Sequence, residues 1–196
     1  MKKTIPPLSL PDSKSPHLAE LPPLGLYIHL PWCVRKCPYC DFNSHAINSD
    51  GALPEAEYVA ALKRDLELSL PQIWGRPVSS VFFGGGTPSL FSGASIEAIL
   101  SYARMLLSFV PEIEITLEAN PGTLEAQKFA DFRSAGINRL SIGIQSFNPR
   151  HLQALGRIHN DVEASRAVEQ ALQHFDNVNL DLMYALPDQT REKALQ

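Results

Sequence analysis

From Leu24 onward, short apolar runs alternate with longer amphipathic stretches, and this rhythm narrows the possible folds more than any other feature of the chain. Leu26-Tyr27-Ile28-His29-Leu30 reads as a strand. Residues 55–70 then place Val59, Leu62, Leu66 and Leu70 at helical spacing. Val78 to Phe83 is a second strand, and it runs into Gly84-Gly85-Gly86-Thr87-Pro88. Residues 95–110 read as a helix through Ile96, Ile99, Leu100, Ala103, Leu107 and Val110. Glu114 to Glu118 is a third strand, turned by Pro121-Gly122, after which Thr123 can cap a helix that Gly136 stops. Asn138 to Gln145 gives a fourth strand. Asn148-Pro149 supplies a capping side chain and a proline at the first helical position. Asn160-x-x-Glu163 has the form of a capping box for a helix reaching about Phe175. Val178 to Tyr184 is the fifth strand, and another helix starts near Thr190. Such alternation specifies an α/β fold with a parallel sheet and right-handed crossovers. Periodicity leaves open whether the sheet closes into a barrel.

Residues 1–23 hold six prolines and no sustained apolar period, so they are expected to form a mobile tail outside a single domain spanning 24–196. The chain ends a few residues into its last helix, which suggests part of a longer protein. With 17 basic and 21 acidic residues the net charge is −4, which gives no general attraction to nucleic acid or anionic lipid. No apolar run approaches the roughly 18–20 residues of a membrane span. Pro6, Pro7, Pro11 and Asp12 interrupt any signal-peptide core after Met1-Lys2-Lys3, so a cytoplasmic protein is expected.

The three cysteines, Cys33, Cys37 and Cys40, lie within eight residues, between a strand and the next helix. An odd number so tightly spaced is no disulfide framework and points to metal chemistry. Soft thiolates suit an iron–sulfur cluster or zinc. Three ligands on a four-iron cubane leave one iron open, able to chelate the amino and carboxylate groups of a small molecule. Trp32, Tyr39 and Phe42 would shield such a cluster, and Arg35 and Lys36 would offset its negative charge. The alternative is structural zinc with His29 or His45 as fourth ligand, although zinc sites usually add a second, distant pair of ligands.

Tyr27-Ile28-His29-Leu30-Pro31-Trp32-Cys33 through Cys40-Asp41-Phe42-Asn43-Ser44 resembles the cluster loop of the oxygen-independent coproporphyrinogen III oxidase-like branch of the radical SAM family, and most closely its haem-chaperone members. The resemblance covers about residues 24–196. It implies a partial TIM-like (β/α) barrel whose C-terminal part lies beyond this chain. It also implies a [4Fe–4S] cluster on Cys33, Cys37 and Cys40, S-adenosylmethionine (SAM), and chemistry in which the cluster passes one electron to SAM. Haem is implied as a further ligand and apo-haemoproteins such as respiratory enzymes as recipients. A homodimer is left open. The rival within the branch is the oxidase of porphyrin biosynthesis, which has a further cysteine two positions after the third cluster cysteine, where this chain has Phe42.

A second layer of residues falls at strand ends, where parallel α/β sheets place their ligands. The glycine triplet lets backbone approach a ligand, and the absence of G-x-x-x-x-G-K-[ST] excludes a nucleotide P-loop. Glu118 ends the third strand and Gln145 the fourth, while Asp181 interrupts an apolar fifth strand. Arg157 can grip a carboxylate bidentately, although a lone arginine is more often a surface charge. By resemblance, Tyr27, Gly85, Gly86, Thr87, Glu118, Gln145, Arg157 and Asp181 match SAM-contacting positions, and Tyr39 flanks the adenine. The branch's usual Tyr-Gly-Leu-Pro is here Tyr184-Ala185-Leu186-Pro187, a departure confined to local backbone. The six histidines are scattered and read as structural or surface residues.

Overall fold

A computed structural model describes residues 21–47, 53–73, 75–122 and 126–195. Five strands form one wholly parallel sheet in the order β1–β4–β5–β6–β7: β1 (Leu24–Leu30), β4 (Val78–Gly85), β5 (Phe109–Ala119), β6 (Arg139–Gln145) and β7 (Val178–Leu182). Two short strands, β2 (Trp32–Cys33) and β3 (His45–Ala46), pair in parallel and close the loop that holds the cysteines. The parallel α/β architecture implied by the alternation is therefore present, with the strand order expected of successive crossovers. The sheet is open among the described residues.

Helices α1 (Glu55–Ile73), α2 (Gly93–Leu106), α3 (Phe129–Ala135) and α5 (Asp161–His174) connect the strands, with α4 (Pro149–Ala154) and the one-turn α6 (Arg191–Ala194) after β6 and β7. The sheet supplies Val81, Phe83, Ile115, Leu117, Leu140 and Ile142 to the core, and the helices cover them with Ile96, Leu100, Phe129, Phe132 and Ala171. Several boundaries follow the sequence chemistry. Asn148 caps α4 through Arg150 N–H, with Pro149 at the first helical position. Asn160 and Glu163 complete a reciprocal capping box. Gly136 ends α3 at φ +107°, a left-handed conformation that suits glycine. The expected Thr123 cap lies outside the described residues, as does the expected tail up to residue 20.

Several boundaries differ from the sequence reading, and β5 begins at Phe109 rather than at Glu114. The helix expected over 95–110 ends at Leu106, and Val110 lies in β5. Phe109 pairs with Val78, and Val78 N–H donates to the Ser108 carbonyl, so strand pairing draws the chain out of the helix. The fifth strand stops at Leu182 rather than Tyr184, whose side chain is 83% exposed. Ala185 follows at φ +59°, which no strand can accommodate. The residue that departs from the family's glycine thus sits where glycine is favoured. Ala185→Gly is expected to stabilise the protein by roughly 0.5–1 kcal/mol, the relief of left-handed strain outweighing the added freedom of the unfolded chain. Urea unfolding of the two proteins checks this.

Candidate cofactor site

All five strands of the main sheet end on the same side, and the cysteine loop folds back over that edge. The β1–β4 pairing continues beyond the strands, because Gly86 N–H donates to the Leu30 carbonyl at 2.9 Å and Thr87 N–H to the Trp32 carbonyl at 2.7 Å. A Cβ on Gly86 would lie 2.6 Å from the Trp32 carbonyl oxygen, so only glycine allows this approach. At Gly85 (φ +118°) a Cβ would meet the His29 ring at 2.7 Å. On the side where a Cβ would project, these two glycines therefore meet the chain's own β1 and cysteine loop.

The loop's later limb is held by His29 Nε2–H donating to the Asn43 carbonyl, Lys36 Nζ donating to the Phe42 carbonyl, and the Trp32–His45 and Cys33–Ala46 pairs. Tyr27 Oη donates to His29 Nδ1 at 2.8 Å. Both ring nitrogens of His29 are thus engaged within the protein, and His45 is exposed. Among the described residues no three His, Cys, Asp or Glu side chains converge closely enough for a single metal ion. A [4Fe–4S] cubane is served differently, each thiolate meeting a separate iron at its own corner. Cys33, Cys37 and Cys40 are free thiols that line one cleft, and this donor set fits a cluster.

That cleft encloses about 720 Å³, counting solvent at its open mouth. Around it stand Cys33, Cys37, Cys40, Tyr39, Gly86, Thr87, Glu118, Gln145, Arg157 and Asp181, ten of the twelve residues picked out in the sequence. The other two, Tyr27 and Gly85, line an adjoining space of about 540 Å³ with His29 and Phe82. Glu118 and Phe42 border both spaces. Of the expected shielding residues, Tyr39 and Phe42 face the cleft. Trp32 instead packs edge-on against Tyr58 at 4.6 Å and against Phe91.

Three polar residues that position this set were not singled out from the sequence. Asn120 donates to Thr87 Oγ1 at 2.9 Å and accepts from Arg157 at 2.7 Å. Ser141 donates to Asp181 Oδ2 at 3.0 Å, and Asn179 donates to Asp181 Oδ1 at 2.8 Å. The signal was present: Asn179 and Asp181 are two apart on β7, as are Ser141, Gly143 and Gln145 on β6, so each group shares a strand face. Gln145 has φ +65°, a strained conformation that ends β6 and leaves its carbonyl to accept from Met183 N–H.

Burial raises the Glu118 carboxyl above its ordinary range; the Gly85 N–H bond opposes this, the nearby Asp181 charge adds to it, and His29 works against it. His159 is 5% exposed and donates from Nε2 to the Ile144 carbonyl. Burial, together with the Arg157 charge, lowers its pKa to about 4, so it is neutral at pH 7.

A family model described as the radical SAM superfamily matches residues 27–196. The protein named "Heme chaperone HemW" from Escherichia coli (strain K12) is 52% identical over 182 residues, covering 91% of this chain and 47% of that protein. The protein of the same name from Haemophilus influenzae is 55% identical over 183 residues, with 91% and 47% covered. The chain thus spans about half the length of the curated relatives it matches. Coproporphyrinogen III oxidase (HemN) from Escherichia coli, a radical SAM enzyme, superposes with a TM-score of 0.76 at 31% identity over 87% of this chain and 39% of that one. The radical SAM methyltransferase TsrM from Kitasatospora setae shares the fold alone, with a TM-score of 0.56 at 12% identity over 87% of this chain and 32% of that one.

The raised Glu118 carboxyl generates a pH dependence of known sign. A carboxylate that binds its proton more tightly when folded costs stability above its folded pKa, and the cost fades as pH falls toward the ordinary value of 4.5. Glu118→Gln is therefore expected to raise the Tm of the ligand-free protein at pH 7, with the advantage shrinking toward pH 4.5. Thermal melts across that range check it.

Proposed function

The chain belongs to the radical SAM superfamily, and from this premise we propose that it is a haem chaperone which binds a [4Fe–4S] cluster, SAM and haem and delivers haem to apo-haemoproteins such as respiratory enzymes. Cys33, Cys37 and Cys40 would hold the cluster in this reading, which would leave it a place for the amino and carboxylate groups of SAM. Together the two groups supply one-electron cleavage of a carbon–sulfur bond.

The protein's own residues orient and shield. Glu118 offers a half-desolvated carboxylate to a ribose or ammonium group, next to the Gly85 N–H. Asp181 meets the ligand with both oxygens already aligned by Ser141 and Asn179. Gln145 presents its amide from a strained strand end. Tyr39 flanks the adenine, while Tyr27, Gly85, Gly86, Thr87 and Arg157 complete the SAM wall. Residues 24–196 form the radical SAM domain in this reading, 1–23 its tail, and the protein works in the cytoplasm. Among the described residues no helix is long and apolar enough to cross a membrane.

Phe42 carries the choice of a chaperone over an oxidase. It stands two positions after Cys40, where the oxidase branch has a further cysteine, and it is 64% exposed at the border of both spaces. Relatives named as haem chaperones at 52% and 55% identity support the same choice. The structural likeness to HemN favours the second reading, an oxygen-independent coproporphyrinogen III oxidase.

One anaerobic preparation distinguishes them. The chaperone reading predicts stable haem binding and no decarboxylation of coproporphyrinogen with SAM and a reductant; the decarboxylated product would overturn it. Cys33→Ala is expected to lose the cluster, and a variant retaining its full iron and acid-labile sulfide would contradict the ligand assignment.

A further inference from the structure

Arg157 is built into the cysteine loop more tightly than a ligand-gripping arginine needs to be. Its Nη2 donates to Asn120 Oδ1 at 2.7 Å and to the Gly143 carbonyl at 2.8 Å, so one edge of the guanidinium is already occupied by protein. Its Nη1 reaches Cys37 Sγ at 3.6 Å and Tyr39 Oη at 3.5 Å. Asn120 is itself held by Thr87, which makes a continuous line of contacts from the end of β4 to the cysteine loop.

The segment carrying Arg157 also docks directly on that loop. Gly156 has φ +68°, and a Cβ there would press on Pro38 at 3.0 Å, so glycine permits both the turn and the approach. No carboxylate among the described residues lies within ion-pair distance of the guanidinium. Among the described residues the one ion pair is Arg139 with Glu114, and Arg157 Nε is buried without a partner. A cation fixed by neutral groups and aimed at a sulfur calls for an anion on that side.

We infer that Arg157, oriented by Asn120, donates an N–H···S bond to the cluster-bound Cys37 thiolate and raises the cluster's reduction potential. The inference rests on the cluster assignment proposed above. One-electron reduction adds negative charge to the cluster, and hydrogen bonds to its sulfurs are among the main determinants of its potential. A fixed positive donor at Cys37 therefore favours the reduced state. Asn120 acts through Arg157 as a positioning residue.

The test is a midpoint potential, read by electron paramagnetic resonance during anaerobic titration of the reconstituted protein with dithionite. Arg157→Met is expected to make reduction roughly tenfold less favourable, a downward shift of about 59 mV for a one-electron couple. Asn120→Ala, which leaves the charge but frees its mount, is expected to shift the potential the same way by less. An unchanged or raised potential in Arg157→Met overturns the inference. If that variant assembles no cluster, Asn120→Ala decides, and an unchanged potential there overturns it equally. A parent protein that takes up no cluster removes both this inference and the cofactor assignment, whereas a cluster of unmoved potential removes this inference alone.

Discussion

Two backbone hydrogen bonds, Gly86 N–H to the Leu30 carbonyl and Thr87 N–H to the Trp32 carbonyl, carry the pairing of β1 and β4 past the end of the sheet. They weld the first residues of the cysteine loop to the turn after β4, at a separation that a side chain on Gly86 would prevent. The rest of the site hangs from this joint. Thr87, placed by it, orients Asn120; Asn120 orients Arg157; and Arg157 reaches back to Cys37. The loop is thus gripped from the sheet below and from the α4–α5 segment beside it.

The parallel sheet explains why so many polar groups gather without opposing one another. Every strand delivers its last residues to the same edge, so Glu118, Gln145 and Asp181 come together from three different crossovers. Their neighbours then separate them in role. Glu118 is the desolvated carboxyl, held by one backbone N–H, whereas Asp181 is exposed and its oxygens are taken by Ser141 and Asn179. The aromatic residues divide in the same manner. Trp32 strengthens the core with Tyr58 and Phe91, leaving Tyr39 and Phe42 to face the cleft.

Much of this organisation was legible in the primary structure. Short apolar runs and helical spacing located the five main strands and the principal helices, and the caps at Asn148 and Asn160 act where their side chains implied. The boundaries that moved did so because a local pattern competes with pairing. Val110 continues a helical stripe but belongs to a strand, since Phe109 pairs with Val78, a partner distant in the chain. Tyr184 continues an apolar run, yet the chain turns at Ala185.

Local spacing in the chain points to the kind of chemistry: three thiolates at that spacing, a glycine triplet and polar residues at strand ends suffice to suggest an open-site cluster beside a ligand. These signals are local, and short-range spacing expresses them fully. Which residues hold others in place emerges from the folded arrangement alone. Spacing alone does not single out Asn120, places His29 in a strand, and leaves Arg157 between a surface charge and a ligand contact. Each acquires its role from a partner at least fourteen residues away in the chain: Asn43 for His29, Arg157 for Asn120 and Cys37 for Arg157. Such contacts leave no periodic trace, because they form only once separate crossovers have brought their strand ends together.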